Sequence, residues 1–207
     1  MEVLDSLDPL GPHGPVDGDR SADALAAACQ VVAAVFRSPG EALRDDIASG
    51  RLRSVTDALA RYAGLDEPRG PHAPPDFDVL RSAYVGLFVS RAGGVPAPPY
   101  VGLARDAELL GPSVQRLRSD LESLGLRVRP EWRELPDHLT AVAEAVELLL
   151  EHGRVGAAMA LTSTYLSAWF ARFADTVAEA DDSGFYGEMS RFLRSVLKEV
   201  APRHGTA

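Results

Sequence analysis

Apolar residues recur at helical spacing along most of this chain. From Ser21 onward Leu25, Cys29, Val32 and Phe36 follow at intervals of three and four, which predicts an amphipathic helix with one buried stripe. That pattern breaks at "SPGE". Ser38 is a candidate cap there, Pro39 suits a first helical position, and Glu41 can reach back as the acid of a capping box, so a second short helix is expected at once. Gly50 and Gly64 then stand where left-handed residues end helices, and the prolines of "LDEPRGPHAPP" predict a loop. "DFDVLRSAYVGLFVS" places Phe77, Leu80, Tyr84, Leu87 and Phe88 on one helical face behind Asp76 as a cap.

"RAGGVPAPPY" reads as a second proline loop, followed by a helical stretch from Leu103 to Leu110 and another that restarts after "GPS" and ends near Gly125. "ELPDHLTAVAEAVELLLEHG", Glu134 to Gly153, predicts a helix with Leu139, Val142, Val146 and Leu149 as its buried stripe. Two more helices follow, separated by "DDSG". No alternating strand pattern of useful length appears, so the expected fold is all-α. A single helical domain is expected over residues 21–207, behind a mobile tail of residues 1–20 rich in Pro, Gly and Asp.

Composition narrows the function classes. The chain has 207 residues, 46% hydrophobic and 25% charged, the balance of a soluble globular protein. The longest apolar runs, such as "VELLL", fall far short of the ~20 residues that span a bilayer. A formal net charge of -9 argues against a phosphate backbone as partner and suits a basic one. The start of the chain lacks the basic and apolar regions of a signal peptide, and the one cysteine, Cys29, cannot form an internal disulfide. Both point to a cytoplasmic protein.

Candidate chemistry is sparse. The sequence has no phosphate-binding GxxxxGK[ST] loop, no HExxH or CxxC metal spacing and no GxSxG elbow. His13, His72, His138, His152 and His204 lie far apart, so no metal site is expected. Cys29 among alanines reads as a small core residue, and Tyr165, Trp169, Phe170 and Phe173 read as core aromatics at helical spacing. Asp137 and His138 are harder to dismiss. An aspartate at a helix start caps free N–H groups and suits the macrodipole, but a histidine cation is disfavoured there, so a neutral His138 is expected. Pattern alone leaves recognition and structural capping side by side.

Three segments change that. "YVGLFVSRAGGVPAPPY", "LPDHLTAVAEAVELLL" and "YLSAWFARFADTVAEADDSGFYGEMSRFLRSVL" resemble, in order and spacing, the TorD/DmsD/NarJ family of redox-enzyme maturation chaperones. The likeness runs from about Phe77 to Leu197: an aromatic-x-x-LF helix end, a loop closing on PPY, a PDHL helix start, and a late L-x-x-W-x-x-x-F helix followed by FY. It departs at Ala83, where an acid is common, at Tyr165, where a histidine is common, and along a PDHL helix thinned to "TAVAEAVELLL".

The resemblance implies a TorD-like all-helical cytoplasmic chaperone without turnover, cofactor or metal of its own, monomeric or homodimeric. It is dedicated to a molybdenum or tungsten bis-pterin oxidoreductase of the DMSO reductase type. Its implied partner is the catalytic-subunit precursor, bound at an N-terminal or twin-arginine signal peptide until cofactor insertion and folding are complete. Leu87, Phe88, Pro99, Tyr100, Asp137 and His138 are carried over as peptide-binding residues. In physical terms Asp137 would meet a guanidinium, and Leu87, Phe88 and Tyr100 the apolar part of the peptide. The rival readings are a NarJ-like assembly factor for an enzyme that is not exported, and a small helical enzyme using Asp137 and His138 as an acid–base pair.

Overall fold

A computed structural model describes residues 4–6, 20–65 and 76–200. The expected loop over 66–75, and the tail other than residues 4–6, lie outside the described residues. Helix α1 (Arg20–Phe36) buries Leu25, Cys29, Val32 and Phe36, the four positions of its predicted stripe. It packs against α7 (Leu139–Glu151) and α10 (Phe185–Val200), and α10 lies along α9 (Ala168–Ala180). These four helices enclose the core, and α8 (Val155–Thr162) joins α7 to α9. All four stripe positions of α7, Leu139, Val142, Val146 and Leu149, are buried as the periodicity predicts.

The α9–α10 contact is close because Gly187 has no side chain: a Cβ there would come within 3.2 Å of Ala178 Cα. Aromatic edges fill the centre. Phe88 meets Phe36, Tyr84 and Tyr186 edge to face at 5.2–5.7 Å between ring centres, and Trp169 and Phe173 extend the cluster.

Helix α2 (Glu41–Ala48) starts later than the capping box predicts. Its cap is Gly40, with no side-chain bond, so Ser38 and Pro39 belong to the connection. Gly50 and Gly64 do adopt left-handed backbone, φ 77° and 64°, on either side of α3 (Arg51–Tyr62). Asp76 caps α4 (Phe77–Tyr84) as expected, accepting from Asp78 N at 2.9 Å. That helix then widens into a π-helical turn at Val85–Val89, and a second such turn, Ser163–Ser167, joins α8 to α9.

Helix α5 (Val101–Asp106) is shorter than the Leu103–Leu110 stretch predicts. Ala107 and Leu110 take positive φ, 56° and 62°, and Leu109 and Leu110 end about half exposed. Asp106 stops it by turning back to bond Ser113 N and Oγ, both at 2.7 Å, at the start of α6 (Pro112–Ser123). A short strand the sequence pattern did not signal, β2 (Leu126–Val128), pairs antiparallel with β1 (Leu4–Ser6), so residues 4–6 are part of the fold.

Candidate functional site

The loop before α5 and the turn before α7 are stitched together. Tyr100 and His138 form an isolated antiparallel bridge: Val101 N donates to the Asp137 carbonyl at 3.0 Å, and Leu139 N donates to the Pro99 carbonyl at 2.8 Å. Each helix thus has a first-turn N–H satisfied by the segment leading into the other. The loop is also tied back to α4, where Ala97 N donates to the Leu87 carbonyl at the π-helical end at 3.1 Å.

The side chains complete this exchange. His138, not Asp137, caps α7: its Nδ1 accepts from Thr140 N at 3.1 Å. A backbone donor on Nδ1 requires that nitrogen unprotonated, so the ring is neutral with its proton on Nε2. Burial, aided by the Arg37 cation, lowers its pKa to about 4.

Asp137 serves the other helix. Its Oδ2 accepts from Gly102 N, in the first turn of α5, at 2.8 Å. Only glycine fits there, since a Cβ on Gly102 would lie 2.7 Å from Val114 Cγ2, 2.8 Å from the Glu108 carbonyl and 3.2 Å from Asp137 Oδ2. Asp137 is fully buried, its Oδ1 has no partner among the described residues, and burial raises its pKa despite the Gly102 bond.

Two aromatic rings flank His138. Tyr100 lies edge-on at 5.3 Å and Trp132 at 5.8 Å. The Tyr100 hydroxyl donates to Glu134 Oε2 at 2.6 Å, and burial together with that carboxylate raises its pKa. The six sequence-predicted residues therefore gather around one joint but do not line an open groove. Leu87, Phe88, Pro99, Asp137 and His138 are buried, and Tyr100 alone is partly exposed. Leu87 and Phe88 belong to the aromatic core. Sequence reasoning passed over Glu134, Trp132 and Arg37, although a tryptophan amid charged residues in "PEWREL" is a usable signal.

Comparison with known proteins shows which family the chain belongs to. The family model described as "Nitrate reductase delta subunit" matches residues 45–175, a span that holds both the PPY loop and the PDHL turn. The chain belongs to this family. It is the TorD/DmsD/NarJ group of redox-enzyme maturation chaperones, so the protein is a chaperone and not an enzyme. Chaperone protein TorD of Shewanella loihica is 27% identical over 189 residues, covering 80% of this chain and 89% of the relative. A crystal structure described as a candidate redox enzyme maturation protein from Archaeoglobus fulgidus has the same fold. It aligns with a TM-score of 0.59 at 20% identity, over 90% of this chain and 98% of the other.

In this delta-subunit family member the other sequence candidates are core. Cys29 is fully buried, and burial pushes its thiol well above the ordinary range, which makes it unreactive. Tyr165, in place of a histidine, is buried and donates to Asp120 Oδ2 at 2.5 Å. No helix among the described residues is long and apolar enough to cross a membrane. Nor do three His, Cys, Asp or Glu side chains among them gather where a metal would be held.

Proposed function

We propose that this protein chaperones the catalytic-subunit precursor of a molybdenum or tungsten bis-pterin oxidoreductase in the cytoplasm, and that it binds the precursor's N-terminal segment at the Tyr100–His138 joint. The observation that carries this reading is the placement of Tyr100. Its ring is partly exposed, its hydroxyl is fixed on Glu134, and the backbone beneath it is held by reciprocal bonds between two helix starts. An aromatic anchor on a rigid frame beside a carboxylate suits a peptide that carries both apolar and basic residues.

In this reading the six residues divide their labour. Tyr100 touches the peptide. Asp137, His138 and Pro99 hold the loop and both helix starts, and Leu87 and Phe88 support the loop from below. The chain's net charge of -9 favours encounter with a basic segment, so binding should weaken as salt rises.

Calorimetric titration with N-terminal peptides of the molybdoenzyme catalytic subunits of the same organism tests it. Tyr100→Ala should weaken the cognate peptide at least tenfold with little change in melting temperature. Equal affinity in the parent and Tyr100→Ala would remove the joint as the binding site. The matched family's description favours a second reading, an assembly factor for an enzyme that is not exported. A cognate peptide without a twin-arginine pair would decide for it.

A further inference from the structure

Arg37 follows α1 directly and is held from two sides. Its guanidinium pairs with Glu144 on α7, and its Cζ lies 5.9 Å from the centre of the Trp132 ring. A carboxylate facing a planar cation that lies over an aromatic ring is an arrangement that selects guanidinium over ammonium.

Both partners are anchored independently of the arginine. Trp132 Nε1 donates to the Leu135 carbonyl at 3.4 Å and its ring meets the edge of His138, while Glu144 stands on α7 with its side chain only 15% exposed. The receptor half of this contact is therefore built by the same turn and helix that frame the Tyr100–His138 joint. Only the cation comes from elsewhere, on the short connection between α1 and α2. Arg37 also lines a cleft of about 480 Å³ between α1, α2 and α7, into which Glu147 and Glu151 face from the same side of α7 as Glu144.

We propose that Glu144 and Trp132 form a guanidinium subsite beside the joint, filled by the chain's own Arg37 and taken over by an arginine of a bound peptide. This rests on the peptide-binding reading above. Swapping one guanidinium for another keeps both the ion pair and the ring contact. The displaced Arg37 can move along the cleft toward Glu147 and Glu151, so its charge stays compensated. The subsite distinguishes arginine from lysine because only the planar fork fills both halves. The built-in competitor also keeps the parent's affinity for any arginine modest.

The test uses L-argininamide as probe on the full chain, by calorimetry and by thermal melting in millimolar ligand. Arg37→Ala removes the competitor and leaves Glu144 without this cation. The variant should bind argininamide saturably and at least tenfold more tightly than the parent, with a matching rise in melting temperature. Citrullinamide, whose ureido side chain is the uncharged isostere of the guanidinium, should do neither, and lysinamide should bind more weakly. Adding Glu144→Gln to Arg37→Ala should abolish the gain.

If Arg37→Ala does not fold, Arg37→Gln, which can still bond Glu144, takes its place. Equal affinity in parent and variant, no saturable binding, or binding that survives Glu144→Gln overturns the subsite. Because the probe needs no client, this result is separate from the Tyr100→Ala titration. Failure here leaves the Tyr100 site standing, and loss of the Tyr100 site leaves a guanidinium subsite that can still be measured.

Discussion

Asp137 and Gly102 are 35 positions apart in sequence, yet the carboxylate of one satisfies the backbone N–H of the other at 2.8 Å. The aspartate of the PDHL turn caps the helix that follows the PPY loop, while its neighbour His138 caps the helix they both precede.

Asp137→Ala leaves a buried N–H in the first turn of α5 without an acceptor, which should cost about 1–3 kcal/mol, read from urea denaturation. Gly102→Ala should cost a similar amount of about 1–3 kcal/mol, because its Cβ would overlap Val114 and Glu108. Together the two should lose less than the sum, since both break the same contact. Additive losses would show that the two residues act separately.

Asp137→Asn keeps an oxygen acceptor and removes the charge. Burial raises the Asp137 pKa, so its contribution to stability is fully present below the unfolded value near ~3.9 and is lost as pH rises through the folded value. The Asn variant should therefore gain on the parent as pH rises from 4 to 8 in parallel urea titrations. A stability difference that stays flat with pH would contradict the buried carboxyl.

His138 has the opposite sign. Its folded pKa is lowered to about 4, so the stability it contributes is full above the unfolded value of ~6.5 and is lost as pH falls toward 4. Between pH 7 and 5 this amounts to about 2 kcal/mol by linkage from the burial-lowered pKa, and protonation of Nδ1 is the event that ends its cap on Thr140. The loss should be absent from His138→Asn, which retains a capping oxygen but does not titrate. An equally acid-sensitive Asn variant would place the effect on other groups.

Leu110 is half exposed and has a left-handed backbone, φ 62°. A branched side chain in that conformation is strained by about 1–2 kcal/mol, and asparagine tolerates it better. Leu110→Asn should raise the melting temperature by about 2–4 °C. A fall would mean that the leucine makes contacts worth more than the strain.

The helices that build the core were legible in the sequence because their signal is local. The α1 and α7 stripes recur every three or four residues and are buried throughout, although both helices also bury positions off the stripe, Val31, Ala33 and Val35 in α1 and Thr140, Ala141, Ala143 and Ala145 in α7. Asp76 was legible for the same reason, since its partner Asp78 lies two positions away. Asp137 was assigned to the wrong helix because its partner is Gly102, and no period along the chain connects the two. The premature end of α5 was hidden as well. Leu109 and Leu110 continue an apolar pattern, but the left-handed backbone at Ala107 turns them out, held by the distant Asp106–Ser113 bonds. Trp132 meets Arg37 only where the turn before α7 packs against the end of α1, and Glu134 meets Tyr100 only across the PPY loop, so the sequence flags the tryptophan but not its partners.

The bridge between Tyr100 and His138 also closes a loop that contains α5, α6 and β2. The entropy of closing such a loop grows only with the logarithm of its length, about 0.6 kcal/mol for each doubling. Insertions or deletions between α6 and the turn at Trp132 should therefore leave the clasp nearly as strong. A change of length in this segment would reshape the surface beside the joint while the two helix starts stay in register.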